Sequence, residues 1–457
     1  MASKHPRGLY VLFFTEMWER FGFYLMVALF SLYLIERLKL SKAEAGSVYS
    51  TYKALIYLAP LVGGYLADRV LGYTRAILLG AVFLGSGYFM FSFPSTVTFY
   101  CSIGLLVIGN GLFKPNISTL VGNLYPQGDP RRDSAFSIFY MGINLGALFA
   151  GPVGETMRGW LGWPVAFATA GCGMVASFLI FSTFLKYVSL GDTRSSVAAV
   201  LDVPLPAEYE DKPDPPELER KRIIALGIMC LIVVFFWMAF EQNGTTLTFW
   251  AKENTDRVLH LGSFTWEVPV GWFQSFNPLF IICLTPLMVA LMSYLRTKNL
   301  EPSTPAKIGL GMGLTAASYG IMVVASRMGG DTGKVHMAWL VACYFVITIA
   351  ELFLSPMGLS MVTKLSPRRM TSLMMGVWFL ANATGNKLSG FYSKYWDSWK
   401  HSEVFMLLVV SSLVAAALLI SQYRRLLEAM PPEGPQDEKK ASVEPEPAVA
   451  AAAESGA

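Results

Sequence analysis

The residues with the most to say about chemistry are a few ionisable side chains set inside long apolar stretches. Thr15-Glu16-Met17-Trp18-Glu19-Arg20 puts Glu16 and Arg20 one helical turn apart, with Glu19 on nearly the same face, so two acids and one base share one surface. A carboxylate buried beside a guanidinium is pulled both ways, because desolvation favours its neutral form and the positive neighbour its charged one. Such a group suits the uptake and release of a proton; the plainer reading is a structural ion pair. Gly109-Asn110-Gly111-Leu112-Phe113-Lys114-Pro115-Asn116 carries a lone lysine before a helix-disturbing proline. By residue count Lys114 lies about 12 Å inside its apolar run, too deep for easy snorkelling. It reads as a counter-ion for Glu16 or Glu19 or as a contact for a ligand carboxylate, and the two roles are compatible where ligand and proton compete for one charge.

Two further acids are deeply placed, Glu241 in Phe240-Glu241-Gln242-Asn243-Gly244 and Glu351 in Ala350-Glu351-Leu352-Phe353, and no sequence neighbour neutralises either. An ionisable group in hydrocarbon costs at least about 2.5–3.5 kcal/mol on insertion scales, so each is a functional candidate. Bases in the first half and acids in the second would make a cavity positive on one wall and negative on the other. That polarity fits a zwitterion. Asn144 and Asn277 offer neutral hydrogen bonds, to a ligand or as interhelical clasps. Tyr24, Tyr57, Trp237 and Trp378 lie near these motifs and are candidate pocket walls. Lys53 and Lys387 fall within about two turns of a span end, where a long stem reaches the interface, and are read as structural.

Groups like these need a membrane to position them. The 457 residues are 54% hydrophobic and 15% charged, against about 25% charged in an average soluble domain. A spanning helix needs about 20 mostly apolar residues. Runs of that kind occur at roughly 8–35, 46–67, 74–93, 97–122, 134–154 and 163–187, then at 221–250, 270–295, 306–327, 337–363, 370–393 and 402–425. The expected fold is all-α, twelve transmembrane helices in two six-helix bundles, 1–187 and 221–425. Between them 188–220, rich in Pro, Asp and Glu, reads as a solvated linker, and 426–457 as a disordered tail. Basic residues such as Arg69, Arg75, Arg131, Arg132, Arg424 and Arg425 gather on the side that holds the N-terminus. Both termini and the linker are therefore expected in the cytoplasm, with the chain in the inner cell membrane. The first apolar run has no small-residue cleavage site and reads as a retained span.

The same features narrow the class. A net charge of +4 is scattered over short loops, which argues against nucleic acid. The five cysteines sit in apolar runs with no CxxC spacing, and the four histidines form no ligand pattern, so neither a metal nor another cofactor is expected. No nucleophile and base pattern suggests an enzyme.

Taken together the motifs resemble the proton-dependent oligopeptide transporter family, a branch of the major facilitator superfamily. EMWERFGFY at 16–24 is similar to its first-helix ExxER motif, GLFKPNIS at 112–119 to its fourth-helix lysine motif and FYMGINLG at 139–146 to its fifth-helix signature. FWMAFEQNGTT, FQSFNPLF and AELFLSPMGLS resemble its seventh-, eighth- and tenth-helix motifs, and Gly64-Tyr65-Leu66-Ala67-Asp68-Arg69 the superfamily's loop after the second span. The resemblance implies proton-coupled import of di- and tripeptides by alternating access, the proton being the coupling ion; a monomer surrounded by lipid is expected. It implies that Arg20 and Lys114 face the peptide carboxylate, that Glu351 and Asn277 hold its amino group, and that Asn144 bonds its backbone. Tyr24, Tyr57, Trp237 and Trp378 would line side-chain pockets. Glu16 and Glu19, acting with Arg20 and Lys114, would couple protons, and Glu241 would gate. Many bacterial members carry an arginine shortly after the first motif that pairs with the seventh-helix acid, but this chain reads Leu25-Met26-Val27-Ala28 there. The expectation is an outer gate without that ion pair. The alternative is a porter of another small solute, such as nitrate or a drug-like anion, for which Glu351 would be a liability.

Overall fold

The computed structural model describes residues 5–93, 95–125, 129, 131–188, 192, 216–262, 264–366 and 371–429. The first part of the chain forms α1 (Arg7–Glu36), α2 (Lys42–Leu66), α3 (Tyr73–Met90), α4 (Thr96–Asn123), α5 (Arg131–Leu161) and α6 (Trp163–Thr183). The second forms α7 (Pro216–Phe240), the short α8 (Thr246–Glu253), α9 (Phe276–Thr297), α10 (Thr304–Met328), α11 (Ala338–Leu365), α12 (Thr371–Ser393) and α13 (His401–Ala429). Among the described residues, nine helical segments are long and apolar enough to cross a membrane. The chain is a multi-pass membrane protein built mostly of helix. Of the expected linker 188–220 only 188, 192 and 216–220 are described, and of the expected tail 426–457 only 426–429; the rest lies outside the described residues. The five cysteines are free thiols, Cys230 and Cys343 buried and Cys101, Cys172 and Cys283 on exposed helix faces.

Local sequence sets the helix ends. Ser41 caps α2 through a reciprocal capping box, its hydroxyl accepting from the Glu44 N–H while the Glu44 carboxylate accepts from the Ser41 N–H at 2.9 Å. The Ser303 hydroxyl accepts from the Ala306 N–H at the start of α10, and Pro305 sits in the first turn, where a missing N–H does no harm. Gly162, at φ 83°, makes the reversal between α5 and α6.

Three local features depart from the sequence reading. The span expected at 221–250 is interrupted: α7 stops at Phe240, a 3-10 turn fills Glu241–Gly244, and α8 begins at Thr246. Gln242 supports that break from its own side chain. Its Nε2 donates to the carbonyls of Met238 and Ser389 at 2.8 and 3.0 Å, and its Oε1 accepts from the Thr246 hydroxyl at 2.9 Å. The span expected from 270 likewise starts with a 3-10 turn, Val270–Ser275. Pro278 has no N–H to offer the Gln274 carbonyl, so the α-helical ladder cannot run back through that turn. Finally, the expectation of an all-helical chain misses four short strands. β1 (Thr255–Asp256) pairs in parallel with β4 (Val335–His336), and β2 (Val258–Leu261) pairs antiparallel with β3 (Phe264–Glu267), setting Leu259 opposite Trp266. Gly262, at φ 66°, opens the hairpin turn.

Within the first six helices α1 packs on α5 and α6, α3 on α4 and α6, and α2 on α4. Among the later ones α10 packs on α11 and α13, α7 on α12 and α13, and α9 on α11. Two seams join the sets: α2 against α12, and α5 against α9 and the turn before it. In lipid there is little hydrophobic drive between helices, so close packing rests on small residues. The seams follow that rule. A Cβ on Gly46 would stand 2.3 Å from the Ser393 Cβ, one on Gly390 2.7 Å from the Gly46 carbonyl, and one on Gly151 2.2 Å from the Gly271 carbonyl. Between α2 and α4, Gly63 lies against the Gly111 carbonyl, which a Cβ would approach to 2.0 Å. Pro115, four residues on, has no N–H to offer that carbonyl, and the pair thus sets the α2–α4 crossing just ahead of Lys114.

Candidate functional site

The first-helix acids and base meet as their spacing implied. Arg20 Nε lies 3.1 Å from Glu16 Oε1 and also bonds Glu19 Oε2, with all three side chains buried. From α1 the Arg20 guanidinium reaches Asn110 Oδ1 on α4 at 3.5 Å, and Asn110 Nδ2 donates to the Ile56 carbonyl on α2 at 3.0 Å. Three helices are thereby tied at one point. The guanidinium also stands 4.8 Å from the Phe23 ring centroid, a cation–π contact. Among the described residues, Glu16 Oε2 and Glu19 Oε1 are buried without a hydrogen-bond partner. A proton on either would remove a buried negative charge that no hydrogen bond to that oxygen offsets.

Lys114 is only partly buried, and its Nζ lies 5.0 Å from the Tyr57 ring centroid. Among the described residues it has no ion-pair partner, yet Glu16, Glu19, Arg20 and Lys53 all act on it electrostatically. With Lys53 paired to Glu241, the two acids Glu16 and Glu19 and the two bases Arg20 and Lys114 make a locally neutral group whose balance shifts by one with each proton.

On the facing side Asn277 Nδ2, from α9, donates to Glu351 Oε2 on α11 at 2.8 Å and to the Thr348 hydroxyl at 3.0 Å. Tyr24 and Tyr57 are both within electrostatic reach of Arg20 and of Glu241 and Glu351. The Tyr57 and Trp237 rings are 6.1 Å apart. Asn144 is buried and donates to the Tyr140 carbonyl of its own helix at 3.0 Å. Trp378 is buried in the apolar cluster of Phe236, Leu354 and Ala381, with Trp237 at its edge.

Two expectations are corrected. Lys53 does not snorkel to the interface: its side chain is buried, and its Nζ lies 3.1 Å from Glu241 Oε2. The same ammonium lies 4.9 Å from the Phe23 ring centroid and 5.7 Å from that of Tyr57. The seventh-helix acid therefore has its cation after all, from α2 instead of α1. The reason is topological, since the 3-10 turn Glu241–Gly244 docks against the first half, the Ser31 hydroxyl of α1 donating to the Gly244 carbonyl and Tyr49 of α2 packing on Gly244. Lys387 donates to the Thr51 hydroxyl across the α2–α12 seam and so clasps two helices.

Comparison with known proteins decides the family. The model of the POT family matches residues 74–200 and 216–430. The chain belongs to the POT family. It is a transporter, not an enzyme, and this POT-family chain matches its relatives over nearly their full length. An uncharacterized transporter, YclF, of Bacillus subtilis (strain 168) is 33% identical over 91% of this chain and 93% of its own. A di-/tripeptide transporter of Lactococcus lactis subsp. cremoris is 30% identical over 93% of this chain and 96% of its own. A crystal structure of a mutant of a peptide transporter POT in complex with alafosfalin superposes with a TM-score of 0.82 at 30% identity, covering 94% of this chain and 96% of that one.

Sequence reading singled out the acids and bases of this POT-family site but missed the roles of Lys53, Asn110, Thr348 and Tyr140. The depth of Lys53 within α2 was the available signal, and a residue count from an assumed span end blurred it. The hydroxyl and amide partners carry no charge and so look like any other polar residue in a span.

Proposed function

We propose that this transporter is a proton-coupled symporter that imports di- and tripeptides by alternating access. The observation that carries the reading is a pair of oppositely charged groups: buried Arg20 with Lys114, which lies against Tyr57 and has no ion-pair partner among the described residues, and buried Glu351 with Asn277. A peptide is a zwitterion whose two ends match them. The names of the peptide-transporting relatives above support the same class. A nitrate or drug-like anion would use only the basic wall and leave Glu351 an uncompensated negative group.

In this reading the helices form twelve spans in two six-helix halves, 1–187 and 221–425, joined by the cytoplasmic linker 188–220 and followed by the tail 426–457. The protein is a monomer in the cell membrane with both termini in the cytoplasm. The pairing of helices within each set and the two seams support the division. The polar links between the sets described above all lie from Tyr57 and Trp237 toward the end of α1, which this orientation makes the outer end. Lys42 adds to them, its Nζ 2.8 Å from Glu253 and 2.6 Å from Asp397.

Protonation of Glu16 or Glu19 leaves Arg20 and Lys114 in excess by one positive charge, and a peptide carboxylate is drawn to them. Glu351 and Asn277 hold the peptide amine, and the Asn144 amide bonds its backbone. Tyr24, Tyr57, Trp237 and Trp378 line its side chains. Closure follows where the peptide binds the occluded arrangement better than the open one. The Lys53–Glu241 pair joins the halves at the outer gate. Proton loss to the cytoplasm restores neutrality and releases the peptide. Reconstitution into liposomes with an imposed proton gradient and labelled dialanine tests this. Wild type should accumulate dialanine and lose it with a protonophore, and Lys114→Ala should abolish the driven component. Driven uptake retained in Lys114→Ala would remove the lysine from coupling.

A further inference from the structure

Outside the central site, a chain of charged groups crosses the outer end twice. Glu155, on α5, is 6% exposed, and its Oε1 accepts from the Gly271 backbone N–H at 2.8 Å. That bond passes from the first half to the second. Close approach makes it possible, because the backbones touch at Gly151 and Gly271 and a Cβ on Gly271 would stand 2.7 Å from Glu155 Cγ. The other carboxylate oxygen, Oε2, lies 3.0 Å from Arg158 Nη1, and Arg158 Nη2 lies 2.8 Å from Glu36 Oε2 at the end of α1. Glu36 Oε1 is in turn 2.8 Å from Lys252 Nζ on α8, back in the second half. The Trp163 ring, 4.5 Å from the Arg158 guanidinium, backs the middle of the chain, and Arg257 is the other base acting on Glu155.

We infer that Glu155 is a positioning residue of the outer gate. Through Arg158 and Glu36 it holds the outer end closed, so that opening breaks the Gly271 link and the Lys252 link in one step. The inference rests on the alternating-access reading above. Hydrogen bonds to a charged group are strong enough to weight such an equilibrium by about tenfold or more. A transporter that takes external ligand only when open shows an affinity reduced by its open fraction. Loosening this latch should therefore tighten the apparent affinity for external peptide.

Hydrogen exchange of the purified full chain reads the latch directly. In Glu155→Ala, residues 270–275 and α8 should exchange about tenfold faster, with α3 and α13 unchanged. Glu36→Ala, at a partly exposed site, should give the same pattern, and the double variant should add little because one chain is cut twice. Glu155→Gln keeps an acceptor for Gly271 but loses the charge that holds Arg158, and should fall between. In liposomes the external KM for dialanine should fall severalfold in Glu155→Ala. Unchanged exchange at 270–275, additive effects of the two alanine variants, or acceleration spread over every helix would each overturn the inference. Exchange needs no substrate, so a chain that failed to carry dialanine would sink the proposed function while exchange still decided on the latch.

Discussion

Lys53 and Glu241 show what a single buried pair does when its partners come from different parts of the chain. Both side chains are almost fully buried, at 5% and 3% exposure, so neither charge is sheltered by water. Removing one partner from such a pair strands the other and costs about 3–5 kcal/mol, while removing both is often nearly neutral. Lys53→Ala should therefore lower the thermal stability of the purified transporter sharply, and Glu241→Gln added to it should restore most of the loss. Proton-driven uptake should stay impaired in the double variant, since the link across the halves is gone. A double variant no more stable than Lys53→Ala would mean the two side chains act independently. Arg20 differs in kind: it is shared by Glu16 and Glu19, so a proton on either acid leaves it paired.

For the helices the governing fact is that glycine sets how near two of them can come. Gly390 faces Ser50 and Gly46 across the α2–α12 seam, where a Cβ would stand 2.4 Å from the Ser50 hydroxyl. Among the described residues, nothing beyond its own stretch of helix lies within 4 Å of the same position on Gly320, in α10. Gly390→Ala should therefore destabilise by about 1–3 kcal/mol through overpacking. Gly320→Ala should be neutral or stabilising by up to about 1 kcal/mol, as alanine is the better helix former. Thermal unfolding of the two purified variants checks the contrast, and equal effects would mean that the seam tolerates a methyl group. The break at Glu241–Gly244 belongs to the same scale. The turn starts at Glu241 itself, whose carboxylate meets Lys53 of α2.

Across the whole molecule the proposed orientation is open to a direct test. His260 lies on the β2–β3 hairpin, which the orientation places outside, and Asn299 lies in the turn between α9 and α10, which it places inside. A membrane-impermeant maleimide on intact cells should label His260→Cys and should reach Asn299→Cys only after permeabilisation. The reverse pattern would invert the topology and with it the direction of the proton step. Exposed Cys101, Cys172 and Cys283 sit on spanning helices, where lipid disfavours the thiolate that reacts, so background should be low.

What the amino-acid order determined alone was the class and the chemistry: apolar runs long enough to span, the few charges worth placing in them, and the ordered motifs of the family. Those signals are local, carried by composition and by a turn or two of helix. Glu16, Glu19 and Arg20 could be paired on paper because they lie within five residues on one helix. The partners of Glu241, Glu351 and Glu155 could not, since Lys53, Asn277 and Gly271 are far away in sequence and reach them only after α2, α9 and the turn before α9 have docked. Tertiary structure alone decided those meetings, because the distance between two helices depends on glycine contacts and backbone breaks that leave no periodic trace. The short hairpin went unread for a related reason, its strands being too brief for alternation to stand out from a loop.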